Sequence, residues 1–351
     1  MRPPARKPKI KVVIWLAGTL LAVGCALWLA FRIVYEREVA LLTAPPATVS
    51  LHSKLRYNEV VVHFRLLHNK ISVQAVIDGH LTQCSMDTGT ASILIPQPLH
   101  IAKPVTDAFF SSSSSATDAG GNSTEVKRAL LNNFRIGGYE LRRVPALVAS
   151  FTNSRRSQSI PSYGCLLGNS IFSSVVVTLD YHLHQIIFRS PEYNPATQRH
   201  SPQSYSFPFH WASSIKSAKS FGIIAVSGTI SGHPVTFAID TGWSSDMMGV
   251  SKSTYQRLFP SSTFTRHDRS LLTAFGQAKG VYIPDLVCSL KSVDPHHPDL
   301  KFRQPALVTA DADDGVDAIW GYAVLKDYRV TIDYPRRRIF LEPYASAGTA
   351  R

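Results

Sequence analysis

Two aspartates, Asp87 and Asp240, each end a short apolar run and are each followed by threonine and glycine, in the segments SMDTG and AIDTG. A carboxylate at the end of an apolar strand is unfavourable to bury unless it is paired or hydrogen-bonded. Two carboxylates about 3 Å apart cannot both stay ionised, so they share one proton. The ionised member of such a pair can activate a water while the protonated member donates its proton, which is the chemistry of hydrolysis.

The two aspartates belong to an internal repeat with an offset of 153 residues. The segment AVIDGHLTQCSMDTG aligns without a gap on GTISGHPVTFAIDTG. Downstream, Gly168 in CLLG and Gly321 in AIWG keep this offset, as do Asp180 in TLDY and Asp333 in TIDY. Between these landmarks the motif PALV recurs with an offset of 160, so the loops differ in length. Landmarks that stay in order and return to register predict two copies of one β-fold.

Short β-branched runs separated by Gly, Ser, Asn or Asp fill most of both copies and predict strands. The fold class is therefore predicted to be all-β. The predicted organisation is a basic cytoplasmic tail at 1–11, a transmembrane helix at 12–34, a tether at 35–57, an N-terminal lobe at 58–190, an inter-lobe linker at 191–219, a C-terminal lobe at 220–343 and a tail at 344–351.

The paired motifs resemble the aspartic protease family. The halves are similar to retroviral-type, retropepsin-like proteases, here fused in one chain in a bilobal, pepsin-like arrangement, and the resemblance covers residues 58–343. It implies two homologous β-barrel lobes related by a pseudo-twofold axis, with Asp87 and Asp240 as the catalytic pair. It also implies supporting roles for the residues that shape the two turns and their ψ-shaped loops, namely Thr88, Gly89, Gly168, Thr241, Gly242 and Gly321.

The resemblance further implies residues that contact substrate. Relatives carry Ala, Ser or Thr after the glycine of the motif; Thr90 fits this pattern and Trp243 departs from it. A tryptophan there could narrow a subsite or distort the turn. The family also covers bound peptide with a hairpin flap, and glycine-rich tips predict the flaps near Gly120 and Gly121 in the first copy and Gly276 in the second.

Residues 12–31 contain no charged residue, and a helix of this length is long enough to cross a bilayer core of about 30 Å. Basic residues precede the run, and Glu36 and Glu38 follow it, so the N-terminus is predicted to be cytoplasmic and the rest extracytoplasmic, periplasmic in a bacterium. Two alternatives are a cleaved signal peptide and a lipid attached to Cys25 in LAVGC.

The formal net charge is +13, and part of it lies in the first eleven residues beside the apolar run. Because no basic stripe carries interleaved aromatic residues, anionic lipid rather than nucleic acid is the predicted partner of this charge. The acidic run DADDGVD places its glycine one position too early for a calcium loop, so no metal or other cofactor is predicted. Cys84 and Cys165 lie near the two motifs of the first copy, as a disulfide or as buried thiols.

Two functions follow as hypotheses. The first is a single-pass, membrane-anchored aspartic endopeptidase, a monomeric catalytic unit that hydrolyses polypeptide substrates with water activated by the aspartate pair. The alternative is a protease-like protein that binds extended peptides with little or no cleavage, motivated by Trp243 and by the lack of an obvious flap tyrosine. Cleavage within the chain itself, at the tether or linker, is a third possibility. The sequence leaves open which aspartate holds the proton.

Overall fold

The structure is a computed structural model, and it describes residues 20–33, 48–51, 59–96, 103–104, 114–117, 121, 123–150, 164–198, 204–212, 222–260, 268–272, 277–292, 299–311 and 315–344. The chain divides into two compact units, Met1–Leu42 and Thr43–Arg351.

The first unit contains a helix, α1, at residues 20–33, with exposed apolar side chains that include Leu20, Leu27 and Trp28. None of the helices within the described ranges is both long and apolar enough to span a membrane. The membrane helix predicted at 12–34 is therefore not found in the described part of the chain. Residues 1–19 and 34–47, which include the predicted basic tail and most of the tether, lie outside the described residues.

The second unit consists mainly of strands, which confirms the prediction of a mostly β fold. The strands of its first part are β1 (Thr48–Leu51), β2 (Val60–His63), β3 (Arg65–Leu67), β4 (Lys70–Ile77), β5 (His80–Met86), β6 (Ile93–Pro96), β7 (Lys103–Pro104), β8 (Ser114–Thr117), β9 (Ser123–Ile136), β10 (Tyr139–Ser150), β11 (Cys165–Leu167), β12 (Val176–Asp180) and β13 (Gln185–Arg189).

The strands of its second part are β14 (Tyr205–Pro208), β15 (His210–Ala212), β16 (Ile223–Ile230), β17 (His233–Ile239), β18 (Met248–Ser251), β19 (Asp268–Leu272), β20 (Gln277–Leu290), β21 (Leu300–Thr309), β22 (Ala318–Trp320), β23 (Tyr328–Asp333) and β24 (Arg338–Pro343). Two short helices, α2 (Lys252–Leu258) and α3 (Tyr322–Leu325), and the 3₁₀ turns Asn169–Ile171 and Pro195–Thr197 complete the described elements. The strands β14 and β15 lie within the segment 191–219 that was predicted as a linker.

Two of the sheets close on themselves. In the first, β9 pairs with both β10 and β4, and the strands between them run in the order β10, β6, β11, β5, β4. In the other, β20 pairs with both β21 and β16, and the order between them is β21, β18, β22, β17, β16. Strand closure leaves few open edges and surrounds a core of alternating inward side chains.

A six-stranded sheet connects the two halves of the sequence, with the strand order β14, β24, β23, β12, β13, β2. At its centre β12 pairs antiparallel with β23. Thr178 lies opposite Thr331, and their hydroxyl groups are 2.9 Å apart. These two threonines are separated by 153 residues, the same offset that relates the two sequence motifs.

The hairpins that lead to the two aspartates have the same turn. Asp78 and Gly79 both have positive φ, as do Ser231 and Gly232. Two consecutive residues with positive φ form the type I′ turn that matches the twist of a two-residue hairpin. On β4 every second side chain from Ile71 to Ile77 is buried, so the alternation sets which face of the hairpin joins the core.

Candidate active site

Asp87 follows the last residue of β5, and Asp240 follows the last residue of β17. Each of these strands pairs in parallel with a short strand from later in the same copy, β11 for β5 and β22 for β17. The Asp87 backbone N–H donates to Leu167 O at 3.0 Å, and that of Asp240 donates to Trp320 O at 2.7 Å. Both aspartates are thus held at their backbones by the neighbouring strand.

The glycines after these short strands permit a close passage of the chain. A Cβ atom at Gly168 would collide with the backbone of Ser92, and one at Gly321 would collide with the backbone of Trp243. Any side chain at these positions would force the crossing segments apart. Gly168 and Gly321 therefore permit this close passage, and their supporting role in catalysis stays a prediction.

The two threonines exchange hydrogen bonds between the copies. The Thr88 hydroxyl donates to Ile239 O at 2.7 Å and accepts from the Thr241 backbone N–H at 3.0 Å. Reciprocally, the Thr241 hydroxyl donates to Met86 O at 3.1 Å and accepts from the Thr88 N–H at 3.1 Å. Both side chains are buried, with Thr88 fully so. Because each hydroxyl has a donor and an acceptor partner, the two turns are joined without a buried unsatisfied group.

The two carboxyl groups lie together at this junction, each against the glycine of the other motif. The Gly89 N–H lies 3.0 Å from Oδ1 of Asp87 and 3.1 Å from Oδ1 of Asp240, and the Gly242 N–H donates to Oδ1 of Asp240 at 2.7 Å. A Cβ at Gly89 would collide with the Asp240 carboxylate, and one at Gly242 with that of Asp87. Glycine is thus the residue that lets each backbone approach the opposite carboxylate.

The electrostatic environments of the two acids differ. Burial raises the pKa of Asp87, while the positive charge of Lys70 and hydrogen bonds from Asp240 and Gly89 act to lower it. Burial, followed by the negative charge of Asp87, raises the pKa of Asp240 well above its ordinary value of 3.8. Burial and a like charge both favour the protonated form. The pair therefore holds a proton to a higher pH than free aspartates would.

Asn169 is a buried residue of the site that the sequence did not single out. Its amide nitrogen donates to Thr88 O at 2.8 Å and to Gly222 O at 2.9 Å, and its Oδ1 accepts from the Tyr334 hydroxyl at 3.0 Å. It thereby links the first threonine turn to the start of β16. The corresponding residue of the second copy is Tyr322, and its position directly after the repeated glycine was the available signal.

Cys84 and Cys165 form a disulfide, which resolves the choice that the sequence left open. They are directly opposite each other on the parallel strands β5 and β11, and both are buried. In the second copy the same pair of positions holds Phe237 and Ala318. The crosslink therefore joins the two strands of the first copy that carry the aspartate and the glycine landmark.

Trp243 lies in the interior of the second copy. Its side chain is 6% exposed, and its indole N–H donates to Met247 O at 2.6 Å. A Cβ at Gly249 would lie 3.2 Å from two atoms of the indole ring, so the ring occupies the space above that glycine. Trp243 is predicted to contact substrate. In the structure, its described contacts are made within its own copy.

The first copy carries different residues at the corresponding positions. Leu94 pairs with Leu166 as Gly249 pairs with Ile319, and Leu94 is buried. The first copy thus has the small Thr90 together with Leu94, where the second copy has the large Trp243 together with Gly249.

We expect Trp243→Ala to destabilise the fold by about 3–5 kcal/mol, because it removes a buried aromatic side chain. Gly249→Ala should destabilise it by roughly 1–3 kcal/mol, because the new methyl group is crowded against the indole. With Trp243→Ala already present, Gly249→Ala should do less damage. Urea unfolding of the two single variants and the double variant measures this coupling. Strictly additive effects would contradict the packing of the ring on Gly249.

Hairpins are present at both predicted flap segments, where β8 pairs with β9 and β19 pairs with β20. Of the predicted tip residues, Gly121 is exposed and has a φ of +80°, and a Cβ there would lie 3.2 Å from that of Ala310. Gly120 and Gly276 lie outside the described residues. The movement of these hairpins over a bound peptide remains a prediction.

Two acids of the segment DADDGVD accept hydrogen bonds from other parts of the chain. The carboxylate of Asp311 accepts from the Ser253 N–H at 2.8 Å. That of Asp317 accepts from the Thr236 N–H at 2.8 Å and from the Thr254 hydroxyl at 2.6 Å. These contacts give both carboxylates a structural role at α2 and β17.

No family model and no curated protein matches the chain. Among solved structures, it is similar to basic 7S globulin from soybean, with a TM-score of 0.48 and 10% sequence identity, over 82% of this chain and 95% of the globulin chain.

Proposed function

We propose that the protein is an aspartic endopeptidase that hydrolyses polypeptides with water activated by Asp87 and Asp240. The observation that carries the proposal is the junction of the two motifs. There the two threonines exchange hydrogen bonds. The Gly89 N–H lies 3.0 Å from Oδ1 of Asp87 and 3.1 Å from Oδ1 of Asp240, so the two carboxyl groups meet at one point. Raised pKa values for both acids support a pair that shares one proton.

The proposed mechanism uses the two protonation states together. The ionised carboxylate removes a proton from a water bound between the two acids, and this water attacks the peptide carbonyl carbon. The protonated carboxyl donates to the carbonyl oxygen, which stabilises the tetrahedral intermediate. In the collapse of this diol intermediate, the acid that is now protonated gives its proton to the leaving nitrogen, the C–N bond breaks, and the other acid takes a proton from one hydroxyl of the intermediate, so the pair again holds one proton. Because each step moves one proton between neighbouring groups, the reaction requires both acids.

Two lobes related by a pseudo-twofold axis are part of the proposal. It is supported by the 153-residue offset shared by the sequence motifs, by the Thr88–Thr241 contacts and by the pairing of Thr178 with Thr331. One chain would then supply both halves of the site, so the catalytic unit would be a monomer.

An extracytoplasmic location is also proposed. The buried Cys84–Cys165 disulfide supports it, because structural disulfides form and persist in oxidising compartments. The charge-free run at 12–31, preceded by basic residues, supports attachment to a membrane.

Incubation of the purified full-length chain with a denatured protein, from about pH 3 to about pH 7, tests the activity. We expect internal peptide bonds to be cut, as identified by mass spectrometry of the products, and a statine-containing peptide to inhibit the reaction. Binding of the statine peptide without cleavage at any pH would favour the peptide-binding alternative. If the statine peptide does not bind and no peptide bond is cut at any pH, both the endopeptidase hypothesis and the peptide-binding hypothesis are contradicted.

A further inference from the structure

In each of the two hairpins, the first strand begins opposite the aspartate that directly follows the second strand. In the first copy, β4 and β5 pair with Ser72 opposite Ser85, and extending this register by two residues places Lys70 opposite Asp87. Residues two apart on a strand lie on the same face. On this extended register Lys70 and Asp87 share one face of the hairpin, and the Lys70 charge acts on the Asp87 carboxyl.

The second copy carries an apolar residue at the corresponding position. There β16 and β17 pair with Ala225 opposite Ala238, and the same extension places Ile223 opposite Asp240. Lys70 and Ile223 are the first residues of β4 and β16 and are also 153 residues apart in the sequence. The two aspartates therefore have unlike cross-strand neighbours, a cation for one and an aliphatic side chain for the other.

The backbone at Lys70 is held by a tight turn and by a contact with the other motif. His68 and Asn69 both have positive φ, as in a two-residue type I′ hairpin between β3 and β4. The Asn69 side-chain amide donates to Ser244 O at 3.1 Å, on the segment that directly follows Trp243. This contact joins the turn that carries Lys70 to the loop of the second aspartate.

We propose that Lys70 is a positioning residue that makes the two aspartates unequal, holding the negative charge on Asp87 and the shared proton on Asp240. The inference rests on the proposed function, in which the pair works with one proton. It assigns Asp87 as the base that activates water and Asp240 as the acid that faces the substrate carbonyl. The cation favours a charge on the carboxylate opposite to it more than on the one farther away.

The charges around the two aspartates are consistent with this assignment. The Lys70 charge lowers the pKa of both acids, and it ranks second only to burial for Asp87 but comes last among the effects on Asp240. Within the described residues, Tyr181 is a further titratable group in the field of Asp240, and burial raises its pKa, so its ring hydroxyl stays neutral. Lys70 is thus the cation that distinguishes the pair in that part of the chain.

The first test is the pH dependence of kcat/KM for peptide cleavage by the full-length chain. For Lys70→Met we expect both limbs of the profile to move to higher pH, the acid limb by roughly half to one pH unit, because the ionised pair loses a favourable charge. Well below the optimum this is about a three- to tenfold loss of rate. Lys70→Arg keeps the charge, so its limbs should stay near those of the wild type.

A Lys70→Met profile that superimposes on the wild type would overturn the proposal. An equal movement in Lys70→Arg would overturn it too, because the shape of the side chain rather than its charge would then be responsible. Increasing salt should move the wild-type limbs toward those of Lys70→Met.

A second test needs no turnover. Carbon NMR of the chain labelled at the aspartate carboxyl carbons can follow both acids, with signals assigned by their loss in Asp87→Asn and Asp240→Asn. We expect Asp87 to take the larger share of the first ionisation in the wild type, and this inequality to shrink in Lys70→Met. Ionisation of Asp240 first would overturn the proposal. Since this readout does not depend on cleavage, it separates a failure of this inference from a failure of the proposed activity.

Discussion

Asp240→Asn is expected to lower peptide cleavage by at least about 10³-fold, because asparagine has no exchangeable acid proton to share with Asp87. The substitution keeps the shape of the side chain, and the oxygen of the amide can still accept from the Gly242 N–H that now binds Oδ1. Asp87→Asn should cause a loss of the same order, because the reaction needs both acids. The measurement is kcat/KM on a peptide that the wild type cuts.

The same substitution should stabilise the fold at neutral pH. The pKa of Asp240 is raised in the folded state, mainly by burial, so folding favours its protonated form. Stability from this group is fully present below its unfolded pKa, near 3.8, and is lost as the pH rises through the folded pKa. Asparagine is neutral throughout. The stability advantage of Asp240→Asn over the wild type should therefore be small near pH 3 and grow toward pH 7.

Urea unfolding of the wild type and Asp240→Asn at several pH values measures this difference. A matched control is Asp246→Asn, which changes an exposed acid on the loop after the same motif and should leave the pH dependence unchanged. Loss of activity without any pH-dependent gain in stability would mean that Asp240 is not held protonated by its surroundings. Retained cleavage in either dyad variant would refute the catalytic assignment itself.

The repeat was sufficient to select the residues of the two motifs, while their meeting at one junction was an implication of the family resemblance. Once SMDTG and AIDTG are aligned, the two threonines, two aspartates and four glycines follow from one offset. The structure places them in reciprocal contacts that also obey this offset. The mostly β fold was also predictable from the sequence, since short β-branched runs between turn residues are typical of strands.

The departures from the repeat were harder to predict, because they depend on side-chain volume and orientation. Trp243 was expected to contact substrate, but it is buried over Gly249, and the partner glycine could not be recognised before the strands were paired. Asn169 is similar, since its three hydrogen bonds reach Thr88, Gly222 and Tyr334 from distant parts of the sequence. Lys70 was not singled out from the sequence, because its place opposite Asp87 follows only from the strand register.

Replacing both bridged cysteines, with Cys84→Ala and Cys165→Ala together, is expected to destabilise the fold by roughly 4 kcal/mol. The disulfide spans a sequence separation of 81 residues, and closing a long loop reduces the conformational entropy of the unfolded chain. Alanine is chosen because both positions are buried, so serine would add an unsatisfied hydroxyl. The difference in unfolding free energy between the variant and the oxidised wild type measures the effect.

Cys25→Ala is the matched control, because Cys25 is a free, exposed cysteine of α1 and its loss should leave the stability of the second unit unchanged. Wild type unfolded and refolded with a strong reductant should resemble the double variant. Equal stability of the double variant and the oxidised wild type would show that the crosslink does not constrain the chain.

The disulfide should also affect cleavage, although neither cysteine belongs to the aspartate pair. Cys84 and Cys165 join β5 to β11, and β11 supplies the Leu167 carbonyl that binds the Asp87 N–H. Separation of these strands would shift Asp87 relative to Asp240, and a misplacement of about 1 Å can lower a rate by roughly 10²-fold. At a temperature where the double variant is still folded, we therefore expect its kcat to fall while that of Cys25→Ala does not. A full kcat in the folded double variant would mean that the hydrogen bonds between the threonine turns hold the acids in place without the crosslink.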